Sequence, residues 1–343
     1  MKAKNILVIG GGAFGSSLAA LASNNSEQVI LKVRSQKSYD QILKGENTDY
    51  LPGVRLPKKI RPALSWDEIS TLVNGQIDLI ISGLPTKAIS SFYQQNKQEV
   101  IHYLKAGTPL VSLSKGMDSD LLKLPDEIIE EFFPEYLEQI CYLSGPSFAF
   151  EILHEQVTLV SLAGRDRKKI LHVCDLLQTD YFKLMPTYDI KGVLLGGALK
   201  NVLAIAGGIL EGLGYNHNTR AAMITRGIKE MLRFGRVYNA RPETFYGLSG
   251  MGDLILTSTG ELSRNKQFGL EIAKGRSPEE IIQSQKSVVE GYKTAKALYK
   301  MSLKHEIRTP LFQAIYAILY EKISPQKAIQ MLMDLPTKFE GDE

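Results

Sequence analysis

The sequence predicts an α/β protein in which a doubly wound parallel sheet is followed by an all-helical domain. Three observations carry this. Short β-branched runs alternate with helical patterns through the first half, as in sheets covered by helices on both faces. The glycine-rich turn IGGGAFG directly follows the first of those runs. From Asp189 onward the apolar spacing is helical almost to the end. At 343 residues the chain exceeds what one core supports. Two domains are expected, over residues 1–188 and 189–343.

The strands are expected at ILVI (6–9), VILKV (29–33), DLIIS (78–82), PLVSLS (109–114) and ICYL (140–143), then VTLVSLA (157–163) and YFKLM (181–185). Helices should follow Gly15, Thr86, Pro125 and Asp166. The second domain should hold helices over 193–213, 219–234, 264–273, 278–285, 292–304, 311–320 and 325–332.

Composition narrows the function. With 44% hydrophobic and 23% charged residues the chain can bury a sizeable core. Its net charge of +4 is mild and no Lys/Arg run appears, which argues against nucleic acid or a membrane surface as the main partner. A few placed cations for a phosphorylated small molecule fit better. Cys141 and Cys174 form no motif, which suits a reducing, cytoplasmic setting. The five histidines are scattered, so no metal centre is expected. The N-terminal apolar stretch resembles a signal peptide, but three glycines interrupt it and it reads as a buried strand. The stretch 193–213 approaches the length of a membrane span; Lys200, Glu211 and several glycines favour a buried core helix instead.

Gly10, Gly12 and Gly15 form a G-x-G-x-x-G turn between a strand and a helix. They suit a tight turn, close approach of a pyrophosphate and close helix–strand packing, with the helix N-terminus facing the anion. This is a Rossmann-type dinucleotide fingerprint. An NAD-preferring site usually has an acid after the second strand, whereas this chain has Val33 and then Arg34. Arg34 can pair with a ribose phosphate or stack on the adenine, and NADP(H) is expected to be accepted and preferred over NAD(H). The alternative is that Arg34 is a solvated loop cation.

Four further segments concentrate polar chemistry. They are SLSKGM with Lys115, SGPSFAFE with Gly145, Ser147 and Ala149, ALKNVLA with Lys200, and GLSGMGDLILTSTGELSRN with Asp253, Thr257, Ser263, Arg264 and Asn265. In this order behind a dinucleotide turn, and followed by VVEG at 288–291, they resemble the NAD(P)-dependent glycerol-3-phosphate dehydrogenases, in particular the bacterial biosynthetic branch. The resemblance covers nearly the whole chain. It implies reversible reduction of dihydroxyacetone phosphate to sn-glycerol 3-phosphate for phospholipid synthesis, by a cytoplasmic enzyme that is commonly a homodimer. It also implies Lys200 as the proton donor or acceptor. Lys115, Gly145, Ser147, Asp253, Ser263, Arg264 and Asn265 would surround the substrate. Ala13, Phe14, Arg34, Ala149, Val288 and Glu290 would contact the cofactor, with Lys115 and Arg264 near both ligands. Phe14 stands where the family often has Trp or Tyr.

Lys200 is informative without the family. Gly196, Gly197, Ala204 and Gly207 share its helical face, leaving space for a ligand or for a neighbouring backbone. An ammonium there would stabilise negative charge on a ketone oxygen as hydride arrives and could deliver the proton. The alternatives are a lysine that snorkels to water or makes a buried pair with a carboxylate. Arg264-Asn265, after a Ser/Thr-rich loop at a helix start, offers guanidinium and N–H donors for phosphate, or alternatively a surface helix cap. Two other functions remain open on residues alone: a hydroxyacid or ketoacid dehydrogenase, and a non-catalytic nicotinamide-binding regulator.

Overall fold

The computed structural model describes residues 3–284, 289–337 and 339. Strands β1 (Ala3–Ile9), β2 (Ser26–Lys32), β3 (Ile60–Ala63), β4 (Leu79–Ser82), β5 (Leu110–Ser112), β6 (Ile140–Ser144), β7 (Thr158–Gly164) and β8 (Phe182–Thr187) form one sheet. Its order is β3-β2-β1-β4-β5-β6-β7-β8. Between the strands run helices α1 (Ala13–Ala22), α2 (Gln36–Leu43), α3 (Trp66–Val73), α4 (Thr86–Lys105), α5 (Pro125–Phe132), α6 (Ala149–Leu153) and α7 (Arg167–Leu177).

After the sheet come α8 (Ile190–Gly212), α9 (His217–Val237), α10 (Pro242–Tyr246), α11 (Asp253–Thr259), α12 (Arg264–Ala273), α13 (Pro278–Ser284), α14 (Glu290–Lys304), α15 (Pro310–Tyr320) and α16 (Pro325–Met333). A π-helical turn, Leu248–Gly252, leads into α11. Each expected helix is present within a few residues, save that Gln285 lies outside the described residues.

The sheet faces opposite ways with the strand period of two. In β1, Ile6 and Val8 pack with α1, α2, α6 and α7. Leu7 and Ile9 face α3, α4 and α5, in a core that continues into the helices after α8. This two-sided burial explains why the strands read as unbroken apolar runs.

The expectation of a parallel sheet fails at one pairing. β6 and β7 run antiparallel, with Ser144 opposite Ser161, and β8 follows β7 in parallel. Helix α6 spans only five residues. It advances about 7.5 Å, short of the roughly 17 Å of a five-residue strand, so it cannot carry the chain back for a parallel return. The short edge strand β3 was not expected because Pro62 interrupts its apolar run; proline is tolerated at a sheet edge.

Helix α8 forms the centre of the second half and is buried along nearly its whole length, Lys200 included. It is long and apolar enough to cross a membrane by length and composition, but 94% of that window is buried inside the protein.

Candidate active site

The turns after β1, β2, β4, β5 and β6 share the carboxyl edge of the parallel strands, where ligands bind in doubly wound sheets. After β1, Gly10 has φ +106°, a conformation few other residues adopt. A Cβ on Gly15 would stand 2.1 Å from the Gly10 carbonyl oxygen, so that glycine lets α1 close onto the strand. A Cβ on Gly12 would meet nothing within 4 Å. Gly12 therefore borders open space at the start of α1, whose first turn has no side-chain cap. Open space, a bare glycine backbone and free helix N–H groups fit a dinucleotide pyrophosphate. Ala13 and Phe14 begin α1 at this edge. Asn47 braces the turn from behind by donating to Gly11 O at 2.9 Å and Ser16 Oγ at 2.8 Å.

Arg34 is exposed on the link from β2 to α2. Ser35 beside it caps α2 by accepting from Ser38 N at 3.2 Å.

The buried charges meet where the β5 and β6 turns approach α8 and α11. Asp253, 1% exposed, opens α11 after the π-helical turn. Its two oxygens accept from two lysines: Lys200 Nζ to Oδ1 at 2.7 Å and Lys115 Nζ to Oδ2 at 2.9 Å. Lys200 also donates to Thr257 Oγ1 at 2.8 Å, and Lys115 to Gly145 O at 2.9 Å. Ser147 Oγ donates to the same Gly145 carbonyl at 2.9 Å. Lys115 Nζ also lies 5.6 Å from the centre of the Phe14 ring, which links this cluster to the glycine turn.

Burial pulls the Lys200 ammonium down from its usual range to about 8; Lys115 acts in the same direction and Asp253 opposes it. Burial works against ionisation of Asp253, yet the two ammonium groups prevail and hold its carboxyl below the usual range. Burial raises the Glu290 carboxyl above its usual range, against the pull of Arg264, Lys200 and Lys115.

The buried pair with a carboxylate, an alternative reading of Lys200 alone, is therefore present, and its partner is another expected site residue. Lys200 does not snorkel: it is 7% exposed. The small face of α8 serves close packing. A Cβ on Gly196 would stand 2.4 Å from Ser249 O, one on Gly207 3.0 Å from Ser258 O, and one on Gly197 2.6 Å from Ser144 Oγ. These glycines let α11 with its preceding turn, and the Lys115 side chain, come close to α8.

At the start of α12, Ser263 is the helix cap and accepts from Lys266 N at 3.2 Å. Arg264 is exposed and Asn265 buried. Asn265 Nδ2 donates to Asn201 Oδ1 at 2.9 Å, and Asn265 Oδ1 accepts from Gly291 N at 3.0 Å. The α12 start is thus tied to the residue after Lys200 and to α14, where Glu290 sits. Ala149 opens α6 beside the β6 turn. Val288 lies outside the described residues. Thr257, read from sequence only as part of a polar segment, bonds Lys200 and Asp253. Asn201, not singled out at all, bonds Asn265, and Lys266, also not singled out, bonds Thr259 O and Glu211 at the other ends of these helices. Among the described residues no three His, Cys, Asp or Glu side chains are grouped as metal ligands.

The chain is similar to known proteins over nearly its whole length. Family patterns described as the N-terminus and C-terminus of NAD-dependent glycerol-3-phosphate dehydrogenase match residues 5–170 and 189–330. A glycerol-3-phosphate dehydrogenase (NAD(P)+) of Solidesulfovibrio magneticus is 40% identical over 98% of this chain and 99% of its own. One from Bacillus anthracis is 39% identical over 98% and 97%. A crystal structure of glycerol-3-phosphate dehydrogenase from Coxiella burnetii superposes with a TM-score of 0.88 at 30% identity, covering 97% of this chain and 99% of that one. With both family patterns matched and relatives about 40% identical over nearly the whole length, the chain belongs to the NAD-dependent glycerol-3-phosphate dehydrogenase family.

Proposed function

We propose that the protein catalyses the reversible NAD(P)H-dependent reduction of dihydroxyacetone phosphate to sn-glycerol 3-phosphate, supplying backbones for phospholipids. The observation that carries this reading is Asp253 gripped between Lys115 and Lys200 at the carboxyl edge of the sheet, with the α12 start tied to the residue after Lys200. When bound along Gly10, Gly12 and Gly15, the nicotinamide cofactor supplies or accepts the hydride.

The chain's own residues do the rest. Lys200 places an ammonium beside the ketone oxygen, stabilises its developing charge and gives it a proton. In the reverse direction the neutral amine takes the proton from the alcohol. A lysine held at about 8 serves both directions near neutral pH. Asp253 stays ionised, separates the two ammonium groups and aims both. Lys115, Gly145 and Ser147 line the substrate on the sheet side. Ser263, Arg264 and Asn265 offer the cap, guanidinium, amide and helix N–H groups to the substrate phosphate. Ala13, Phe14, Arg34, Ala149, Val288 and Glu290 line the cofactor, with Lys115 and Arg264 between the two ligands. Residues 1–188 act as the cofactor domain and 189–343 as the substrate domain.

We further infer a preference for NADP(H) over NAD(H), supported by Arg34 and the absence of an acid beside it. A homodimer in the cytoplasm is supported by the family resemblance, and the compartment also by the free buried thiols of Cys141 and Cys174. The test is NADPH and NADH oxidation with dihydroxyacetone phosphate, set beside ketoacids and dihydroxyacetone, and with sedimentation for the dimer. Preferred turnover of a ketoacid would reject the substrate.

A further inference from the structure

We propose that Lys266 is a positioning residue for phosphate recognition: its buried ammonium fastens the Arg264–Asn265 start of α12 to the far ends of α8 and α11. The inference rests on reading Arg264 and Asn265 as the phosphate-facing pair.

The Lys266 side chain is 3% exposed, and a buried lysine needs partners to keep its charge. Its Nζ lies 3.0 Å from Glu211 Oε2 in the last turn of α8 and donates to Thr259 O, at the end of α11, at 2.9 Å. The helices so joined carry Lys200 and Asn201 on α8, Asp253 and Thr257 on α11, and Arg264 and Asn265 on α12. Glu211 is itself held by Arg220 at 2.8 Å. Glu211 lies about 16 Å along α8 from Lys200, so the Lys266 ammonium is committed away from the reacting carbon and acts only through the helix it holds.

The backbones are set close enough for this tie to fix a register. A Cβ on Gly208 would stand 2.0 Å from Lys266 O, and one on Gly269 would stand 2.1 Å from Ile205 O. Near the site the register is read by the Asn265–Asn201 hydrogen bond at 2.9 Å. Glycine contact permits close approach but does not by itself stop sliding along the axis. A directional ion pair at one end and an amide pair at the other do.

The experiment compares steady-state kinetics of wild type, Lys266→Met, Lys266→Arg and Glu211→Gln on dihydroxyacetone phosphate and on phosphate-free dihydroxyacetone. Loss of positioning at about the 1 Å scale should raise the KM for dihydroxyacetone phosphate by roughly tenfold or more in Lys266→Met. The KM for NADPH and kcat/KM for dihydroxyacetone should stay within about twofold. Lys266→Arg should recover most of the loss. Glu211→Gln, which leaves the bond to Thr259 O in place, should shift the same constant less, and it carries the test should Lys266→Met not fold. Equal losses on both ketones, or a lowered Tm with normal constants, would overturn the proposal. Should Arg264→Ala lose phosphate discrimination while Lys266→Met keeps it, positioning fails and the functional reading stands. A wild type inactive on dihydroxyacetone phosphate removes both.

Discussion

Lys200 Nζ donates to Asp253 Oδ1 at 2.7 Å across 53 positions of sequence, and both side chains are almost wholly buried. Such a pair is a poor source of stability, because desolvation consumes most of the attraction. It is well suited to holding one proton donor at a fixed place. Asp253 is shared with Lys115, so loss of Lys200 leaves the carboxylate still paired.

Lys200→Met should therefore fold and bind cofactor, yet lower kcat for dihydroxyacetone phosphate by roughly 10²-fold or more, the scale of positioned acid–base catalysis. The checks are steady-state rates and cofactor binding by fluorescence. Near-normal turnover would remove Lys200 from the mechanism.

The pH profile follows from the same lysine. With Lys200 as the proposed proton donor, ketone reduction should decline as pH rises through about 8 with loss of the ammonium, while alcohol oxidation, which would use the amine, should rise there. Asp253 favours the charged form of Lys200, so Asp253→Asn should move both limbs to lower pH. Rates measured from pH 6 to 10 decide the matter; a limb that stays fixed or moves upward contradicts the assignment.

Arg264→Ala should weaken phosphate recognition by about 1.5–3 kcal/mol in kcat/KM, roughly 10- to 200-fold, the worth of a charge-assisted contact. Dihydroxyacetone should be a poor substrate of both proteins and show much less loss. Equal losses on the two ketones place Arg264 away from the phosphate.

Much of this site was legible because its charged residues stand in local motifs: SKG after β5, LKN within α8 and SRN at the start of α12. The neutral partners were not. Asn201 and Thr257 are ordinary helix residues until α11 and α12 bring them beside Lys200 and Asn265. The sequence predicts no helix at the π-helical turn before Asp253, since three glycines between 247 and 252 hide any helical period. The reversal of β7 was also hidden, because a strand buried on both faces reads alike in either direction.

Gly208→Ala tests the interlock of α8 with α12. Alanine is the better helix former by about 1 kcal/mol, which favours the variant. The added methyl, however, would stand 2.0 Å from a backbone oxygen that has no rotamer in which to retreat. Overpacking of this kind costs about 1–3 kcal/mol, so the net effect should be destabilising. Calorimetry should show a lower Tm, and an unchanged or higher value would mean that α12 gives way freely.

The proposed preference for NADP(H) rests on Arg34. It is exposed at the end of the link from β2, on the carboxyl edge where an adenosine ribose would lie. Its neighbours have other duties: Ser35 Oγ accepts from Ser38 N, and Lys37 Nζ pairs with Asp49 at 2.7 Å. Val33, the position at which an acid could repel a phosphate, is 4% exposed and packs in the core, so the preference is better tested at Arg34 itself. Arg34→Ala should raise the KM for NADPH by about tenfold, the order of one guanidinium–phosphate contact, and that for NADH much less. Only NADPH carries the phosphate that the guanidinium would meet. A rise shared equally by both cofactors would place Arg34 against the adenine and leave the preference for NADP(H) without its residue.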